Sequence, residues 1–227
     1  MNLSPQAFDF LLENRLKDSK EWYREHKDEH KKLVVEPFKD FVAKMQPYIN
    51  EIDPGLSCDP KRISRIYRDT RFSKDKSTFR DNVWYSFMHG KELYEGYPVF
   101  FIDISPRSFL YGCGYYKAST KSIEALRSLV LKHDKSYLKA RKTVEAHKEY
   151  VLDCNPYKKN HFPEVSEKDL PWVNIRDFCV MVESKDFDLI FSDTQKLADE
   201  MGKRFLEMKP VYDFLMKAEA KVDRTNK

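Results

Sequence analysis

Residues 97 to 116 read YPVFFIDISPRSFLYGCGYY, two runs rich in aromatic and β-branched residues around a Ser-Pro-Arg break at 105 to 107. Such runs favour β-strands, and proline beside small polar residues is typical of a turn. The short connection predicts an antiparallel pair, because parallel strands need a crossover of a dozen residues or more. Strand-like runs near 62 to 68 and 82 to 88 extend this pair into a meander, and a further run lies at 178 to 183.

Helical patterns precede the predicted sheet. Ser4 and Pro5 are a typical helix start and predict a helix over 5 to 16. Asp18 and Glu21 resemble a capping box that opens a second helix, which Pro37 interrupts or ends. From Pro37 to residue 49 apolar side chains recur at helical spacing, so a further helix is expected there.

Helical spacing returns after the sheet, first near 123 to 147 and then in helices expected after Ser192 and after Pro210. The polar, proline-containing segment 154 to 176 is expected to run over the surface. This order of elements predicts an α+β fold with a helical N-terminal segment, a central antiparallel sheet and C-terminal helices packed on it. No repeat or linker forces a boundary, so residues 1–227 are expected to form a single domain.

The composition excludes several classes of protein. With 41% hydrophobic and 14% aromatic residues the chain is too apolar for a disordered protein. No run approaches the roughly 18 consecutive apolar residues of a membrane span, and no secretory leader is recognisable, so a cytoplasmic protein without membrane contact is expected. The four cysteines are widely spaced, which is typical of free thiols in a reducing compartment. The sequence leaves the oligomeric state open.

Basic charge is concentrated in one segment, residues 61 to 80, with the sequence KRISRIYRDTRFSKDKSTFR. This basic segment holds eight Lys or Arg and two Asp, whereas the other 207 residues hold 33 basic and 35 acidic side chains. Like charges so close in sequence repel one another unless counter-charges or an anionic ligand offset them. Guanidinium groups suit phosphate and carboxylate oxygens, because their N–H donors lie in one plane and can bind two oxygens at once.

The basic segment therefore predicts a site for a small ligand that carries phosphate or carboxylate groups. Not all of its arginines need converge, because Arg65 and Arg71 share one face of a strand while Arg68 points to the other. Asp69 and Asp75 are expected to orient the cations, and Asp69, between two arginines, should have a depressed pKa. The candidate ligand-binding residues are Arg65, Tyr67, Arg68, Asp69, Arg71, Lys74, Asp75 and Lys76.

Two alternatives stay open for the same segment. One is an interaction module that docks on an acidic protein or on nucleic acid, although nucleic acid is disfavoured because the basic footprint is local and the pI of about 8.7 is modest. The other is a purely structural network in which each Arg pairs with an internal Asp. A concave pocket reached by at least two arginines favours a small ligand, and a flat basic ridge favours docking.

No motif assigns catalysis, a cofactor or a metal. Gly112 and Gly114 lack the third glycine of a dinucleotide loop and are expected to allow a bulge or a close backbone approach within their strand. His26 and His30 do not form a zinc motif with Glu29, and a solvated helix face is expected there. No catalytic residue is therefore named, no cofactor is expected, and whether the protein is an enzyme stays open.

The segment from Arg65 to Phe72, followed by Asp75, Lys76 and Phe79, resembles the motif R-x-x-R-D-x-R-F-x-x-x-[DN]-K-x-x-Y. That motif is the signature of domain of unknown function family 2461, and the resemblance extends along essentially the whole chain. It implies a family without an established activity. One departure is the phenylalanine at position 79, where the family usually has tyrosine, so a role for a phenolic hydroxyl there does not carry over.

Overall fold

The structure is a computed structural model that describes residues 1–90 and 96–224. Helices lie at both ends of the chain and a five-stranded antiparallel sheet lies between them, which confirms the predicted α+β fold. The strands are β1 Val83–Phe87, β2 Pro98–Ile104, β3 Phe109–Tyr115, β4 Val151–Leu152 and β5 Cys179–Ser184. They are hydrogen-bonded in the order β1-β2-β3-β5-β4. The helices are α1 Pro5–Lys17, α2 Lys20–Glu25, α3 Lys27–His30, α4 Glu36–Lys44, α5 Gln46–Ile52, α6 Thr120–Leu131, α7 Lys135–Ala146, α8 Leu170–Val173, α9 Phe187–Ile190 and α10 Thr194–Glu219.

One face of the sheet forms the core. Alternation along the strands puts Phe87, Phe100 and Tyr111 on this face, since successive side chains of a strand point to opposite sides. The long helix α10 packs against it, and the ring of its Phe205 lies 5.7 Å from Phe87 and 4.9 Å from Phe100. The side chains that alternate with these along each strand point to the opposite face of the sheet. That face carries the groove described below.

The prediction of a strand over 62 to 68 is wrong. Pro60–Arg62 form a short 3-10 turn, and beyond it only an isolated antiparallel bridge joins Tyr67 to Phe79. The segment is extended but its ladder is irregular, with the Arg68 amide donating to the Thr78 carbonyl at 2.9 Å. The basic segment is thus a long loop held against the residues that lead into β1, rather than a strand of the sheet.

The two prolines have different outcomes. Pro37 interrupts the helical run as expected, since it lies in the first turn of α4, which the π-helical turn Lys31–Val35 separates from α3. Proline is tolerated in a first turn because N–H groups there need no partner within the helix. The helix expected after Pro210 is not a separate one, because Pro210 lies inside α10, which runs unbroken from Thr194 to Glu219. Met208 and Val211, which lie on either side of it, are fully buried, so core packing offsets the hydrogen bond that proline removes.

The start of α2 also differs from the prediction. Its N-cap is Ser19, whose hydroxyl accepts a hydrogen bond from the Trp22 amide at 3.2 Å. Asp18 instead ends α1 in a left-handed conformation, with φ of 45°, and its carboxylate accepts hydrogen bonds from the basic segment. The capping box predicted from Asp18 and Glu21 is therefore wrong, and the carboxylate of Asp18 is free for the contacts described next.

Segment 154–176 is only partly a surface excursion. Its first half is largely exposed, but Trp172, Val173 and Ile175 are buried in the core. The predicted close backbone approach at Gly112 agrees with the structure. A Cβ at this position would lie 2.3 Å from the Val180 carbonyl oxygen and 2.9 Å from the Phe101 ring.

Candidate functional site

Helix α1 anchors the far half of the basic segment. Asp18 Oδ1 accepts hydrogen bonds from the backbone amides of Thr78 and Phe79, at 2.7 and 3.3 Å. One turn earlier, Arg15 Nη1 donates to the Phe79 carbonyl at 2.5 Å. The C-terminal end of one helix thus satisfies the main chain of a loop about 60 residues away. Sequence analysis missed both residues, and an Asp at the end of a helix gives no signal of such a distant partner.

Asp75 is the central acceptor of this loop. Its carboxylate accepts from Arg15 Nη2 at 2.5 Å and from Arg68 Nη1 at 2.6 Å, and it also accepts from the hydroxyl and the amide of Ser77. The Ser77 donors, followed by Arg15, hold the pKa of Asp75 well below its ordinary value. Arg68 also donates to the Ser77 hydroxyl at 2.9 Å. These contacts give Arg68 and Asp75 internal partners, so both fix the shape of the loop.

Asp69 and Arg71 form an exposed pair. Arg71 Nε donates to Asp69 Oδ1 at 3.0 Å and Arg71 Nη2 donates to Asp69 Oδ2 at 2.6 Å. These hydrogen bonds, with the amide of Arg71, lower the pKa of Asp69 to about 2, which is the direction predicted from the sequence. Because both groups lie in water, the pair adds little to stability.

The loop tip lies beyond this pair and is open to solvent. Phe72 is 96% exposed, and the Arg71 guanidinium lies 5.9 Å from its ring centroid. Lys76 donates to the Thr70 carbonyl at 2.9 Å, whereas Lys74 makes no hydrogen bond or ion pair within the described residues. The tip is therefore a basic projection with an aromatic side chain at its end.

A cavity of about 450 Å³ opens on the inner side of the basic segment. We call it the arginine cavity. It is lined by Arg62, Ile63, Ser64, Arg65, Tyr67, Arg68, Asp69, Arg71, Arg80 and Trp84. Five arginines and one aspartate therefore line the same space, and the carboxylate of Asp69 is already paired with Arg71.

Three of these arginines have no carboxylate within ion-pair distance among the described residues. Arg62 Nη2 is buried and has no hydrogen-bond partner in the described part of the chain. Arg65 makes no hydrogen bond or ion pair with any part of the chain that the structure describes. Within residues 1–90 and 96–224 the Arg80 guanidinium donates only to the Tyr67 carbonyl, at 3.2 and 3.4 Å. The pKa of Arg80 is lowered mainly by burial, which the attraction of Asp103 opposes and the charges of Arg68 and Arg65 reinforce. Buried polar groups without partners are rare in proteins and call for an explanation.

The arginine cavity brings together part of the predicted set. Its lining includes Arg65, Tyr67, Arg68, Asp69 and Arg71. Lys74, Asp75 and Lys76 lie outside it, on the loop tip and its internal network.

Arg62, Arg80 and Trp84 also line the cavity, and sequence analysis did not select them. Arg80 and Trp84 could have been found, because alternation from β1 backwards puts positions 80, 82 and 84 on one face.

A second, smaller cavity adjoins the first. It has a volume of about 410 Å³ and is lined in part by Arg15, Arg68, Arg80, Asn82 and Asp103. Asn82 Nδ2 donates to both carboxylate oxygens of Asp103 at 2.8 Å. Burial nevertheless raises the pKa of Asp103, which Asn82 and Arg80 only partly counteract. Arg68 and Arg80 line both cavities.

Phe79 and His30 have core roles. Phe79 is 0% exposed, and its ring centroid lies 5.1 Å from that of Tyr23 and 5.0 Å from that of Tyr67. His30 is buried rather than solvated as expected, with its Nδ1 3.2 Å from the Tyr23 hydroxyl. Burial lowers the pKa of His30 to about 4. Within residues 1–90 and 96–224, no cluster of three or more His, Cys, Asp or Glu side chains could hold a metal ion.

Comparisons with known proteins give one positive result. The family model described as Conserved hypothetical protein (DUF2461) matches residues 6–214. Among the curated proteins, none matches the chain. Of the helices that the structure describes, none has the length and apolar character needed to cross a membrane.

Proposed function

We propose that this chain, which belongs to the DUF2461 family of conserved hypothetical proteins, binds a small anionic ligand in its arginine cavity. The observation that carries the proposal is the state of Arg62, Arg65 and Arg80. All three line one cavity, and none of them has a carboxylate partner among the described residues. An anion bound between them would supply the missing acceptors.

Electrostatics supports an occupant of negative charge. Neighbouring guanidinium groups repel each other. The pKa of Arg80 is lowered first by burial and also by repulsion from Arg68 and Arg65, which the attraction of Asp103 opposes. A phosphate or carboxylate removes this repulsion and accepts charge-assisted hydrogen bonds, which are about twice as strong as neutral ones. The concave shape, reached by more than two arginines, favours a small ligand over a flat docking surface.

The test compares charge-removing variants inside and outside the cavity. Arg65→Gln and Arg80→Gln remove lining charges, while Lys74→Gln removes one charge from the same segment but outside the cavity. Arg68 is unsuitable because its ion pair with Asp75 shapes the loop. Isothermal titration at low ionic strength would use inorganic phosphate, pyrophosphate and citrate as probes, and circular dichroism would verify the fold.

We expect at least one probe to bind the wild-type protein. Arg65→Gln and Arg80→Gln should each weaken it by about tenfold or more, since a hydrogen bond to a charged group contributes about 1.5–3 kcal/mol. Lys74→Gln should stay within about twofold of wild type. The proposal fails if no probe binds, or if the Lys74 variant loses as much affinity as the two cavity variants.

A second candidate, docking on an acidic protein, is favoured by a different observation. Phe72 is 96% exposed at the loop tip beside Arg71 and Lys74, and none of Phe72, Lys74 or Lys76 lines the arginine cavity. An exposed aromatic flanked by cations is typical of interface anchors. Under this candidate, Phe72→Ser weakens binding to poly-glutamate while phosphate binding is unchanged. If the wild-type protein and the Phe72→Ser variant bind poly-glutamate equally well, docking on an acidic protein is excluded. If the wild-type protein is retained more strongly on single-stranded DNA than on poly-glutamate, nucleic acid is favoured instead.

A further inference from the structure

A groove runs across the open face of the sheet, next to the arginine cavity. Its volume is about 610 Å³. We call it the sheet groove, and its floor is formed mainly by Trp84 on β1, Phe101 on β2, Gly114 on β3 and Met181 on β5. Neighbouring strands lie about 4.8 Å apart, so the groove extends about 14 Å from β1 to β5. It is therefore longer than any simple inorganic anion.

The groove and the arginine cavity are neighbours. Arg80 and Trp84 line both of them. Arg80 lies just before β1, and among the described residues its guanidinium donates only to the Tyr67 carbonyl, so further N–H groups remain available for a ligand. A ligand whose charged end lies among the arginines can therefore extend past these two side chains over the sheet.

The floor of the groove suits a flat, apolar group. Gly112 pairs with Phe101 across β2 and β3, and the absence of a side chain there lets the Phe101 ring lie against the strand. Gly114 has no room for a Cβ either, because it would lie 2.5 Å from the Cα of Cys179. The aromatic rings, the Met181 thioether and the glycine backbone together form a flat apolar surface on which another ring can stack.

The charges of the groove set the direction of the ligand. Apart from Arg80, the Asp, Glu, Lys and Arg residues that line it are Asp103, Asp153 and Asp177. Burial raises the pKa of Asp103 and of Asp177. Carboxylates repel a phosphate but accept hydrogen bonds from amino or hydroxyl groups. The anionic end therefore belongs in the arginine cavity, and the end over β5 should be uncharged or carry hydrogen-bond donors.

We infer that the ligand is an aromatic phosphate or a close analogue, with its anionic group among Arg62, Arg65 and Arg80 and its ring on the floor of the sheet groove. This inference rests on the proposed function and extends it from an anion of any shape to one class of compound. The juxtaposition of an arginine-lined cavity with a flat apolar groove, joined through Arg80 and Trp84, is what carries it.

The experiment compares two probes that differ only in the ring, inorganic phosphate and phenyl phosphate, by isothermal titration. Phe101→Ala and Met181→Ala remove the groove floor on two different strands. Leu131→Ala is the matched control, because Leu131 is an apolar, 49% exposed residue on α6 that does not line the groove. Circular dichroism melting verifies that each variant is folded, and the two groove variants provide independent tests if one of them is not.

Phenyl phosphate should bind the wild-type protein about tenfold more tightly than inorganic phosphate, the gain expected of a single aromatic contact. In Phe101→Ala and Met181→Ala this advantage should fall to about twofold or threefold, while the affinity for inorganic phosphate is unchanged and Leu131→Ala behaves as wild type. Equal affinity of the two probes for wild type, or an advantage that survives in both groove variants, overturns the inference and leaves the proposed function standing. Absence of binding for both probes overturns the two together.

Discussion

Replacement of Asp18 tests whether helix α1 holds the basic segment in place. The Asp18 carboxylate accepts two backbone hydrogen bonds from the loop, from the Thr78 amide at 2.7 Å and from the Phe79 amide at 3.3 Å. Hydrogen bonds to charged groups contribute about 1.5–3 kcal/mol, and the lower end applies because Asp18 is exposed. The longer bond adds little. Loss of the carboxylate should therefore lower the free energy of unfolding by about 1.5 kcal/mol.

Replacements of Asp18 should differ in stability, because they differ in how well they tolerate its backbone conformation. Asp18 is left-handed, with φ of 45°, a conformation that costs alanine about 1 kcal/mol more than glycine. Asp18→Ala should thus destabilise by about 2.5 kcal/mol and Asp18→Gly by about 1.5 kcal/mol. Asn tolerates the left-handed region and keeps one acceptor oxygen, so Asp18→Asn should be the mildest change.

Urea denaturation monitored by tryptophan fluorescence measures all three variants. In melting experiments, a change of 1 kcal/mol corresponds to about 2–4 °C for a protein of this size, so Asp18→Ala should melt about 5–10 °C below wild type. If Asp18→Ala and Asp18→Gly are equally stable, the left-handed strain is not part of the effect. If all three variants match wild type, helix α1 does not anchor the loop.

Two further predictions concern the core. His30 has a folded pKa of about 4, below the ordinary 6.5, so the unfolded state binds a proton first as the pH falls. Stability should therefore fall from about pH 6.5 down to pH 4, by up to about 3 kcal/mol from this residue, and His30→Gln should flatten the profile measured by urea denaturation. If the stability of His30→Gln falls with pH as steeply as that of the wild-type protein, another residue is responsible for the pH dependence. Gly112→Ala should destabilise by about 1–3 kcal/mol because its Cβ would lie 2.3 Å from the Val180 carbonyl oxygen, and unchanged thermal melting would contradict that.

The sheet was predictable because its signal is local. The β2–β3 hairpin follows from two strand-like runs and one turn, and the register then places Phe100 with Cys113 and Gly112 with Met181. The segment 62 to 68 carries the same residue types but does not join the ladder, because it bonds to β1 through the Ser64 amide at the Trp84 carbonyl and then finds its partners at Thr78 and Arg80. Residue preference alone does not distinguish these outcomes, since strand formation depends on what lies alongside.

The sequence indicated which segment contributes to the candidate site, but not which of its residues line the cavity. Charge density located the basic segment, and five of its eight predicted residues line the arginine cavity. The sequence could not separate Arg68, which Asp75 holds, from Arg65, which has no such partner in the described residues. That distinction depends on the path of the loop, which Arg15 and Asp18 set from a distant helix. Contacts of this kind leave no periodic signal.

The anchoring of the loop by α1 has a consequence for the order of folding. Arg15 and Asp75 are 60 residues apart in the chain, so their ion pair forms only after a long loop has closed. The β2–β3 hairpin needs no such closure, because its strands are neighbours in sequence. This hairpin can therefore form before the cavity is complete, whereas the pairing of β3 with β5 needs a closure as long as that of Arg15 with Asp75. Under the proposed function, anion binding should then appear later in refolding than the hairpin.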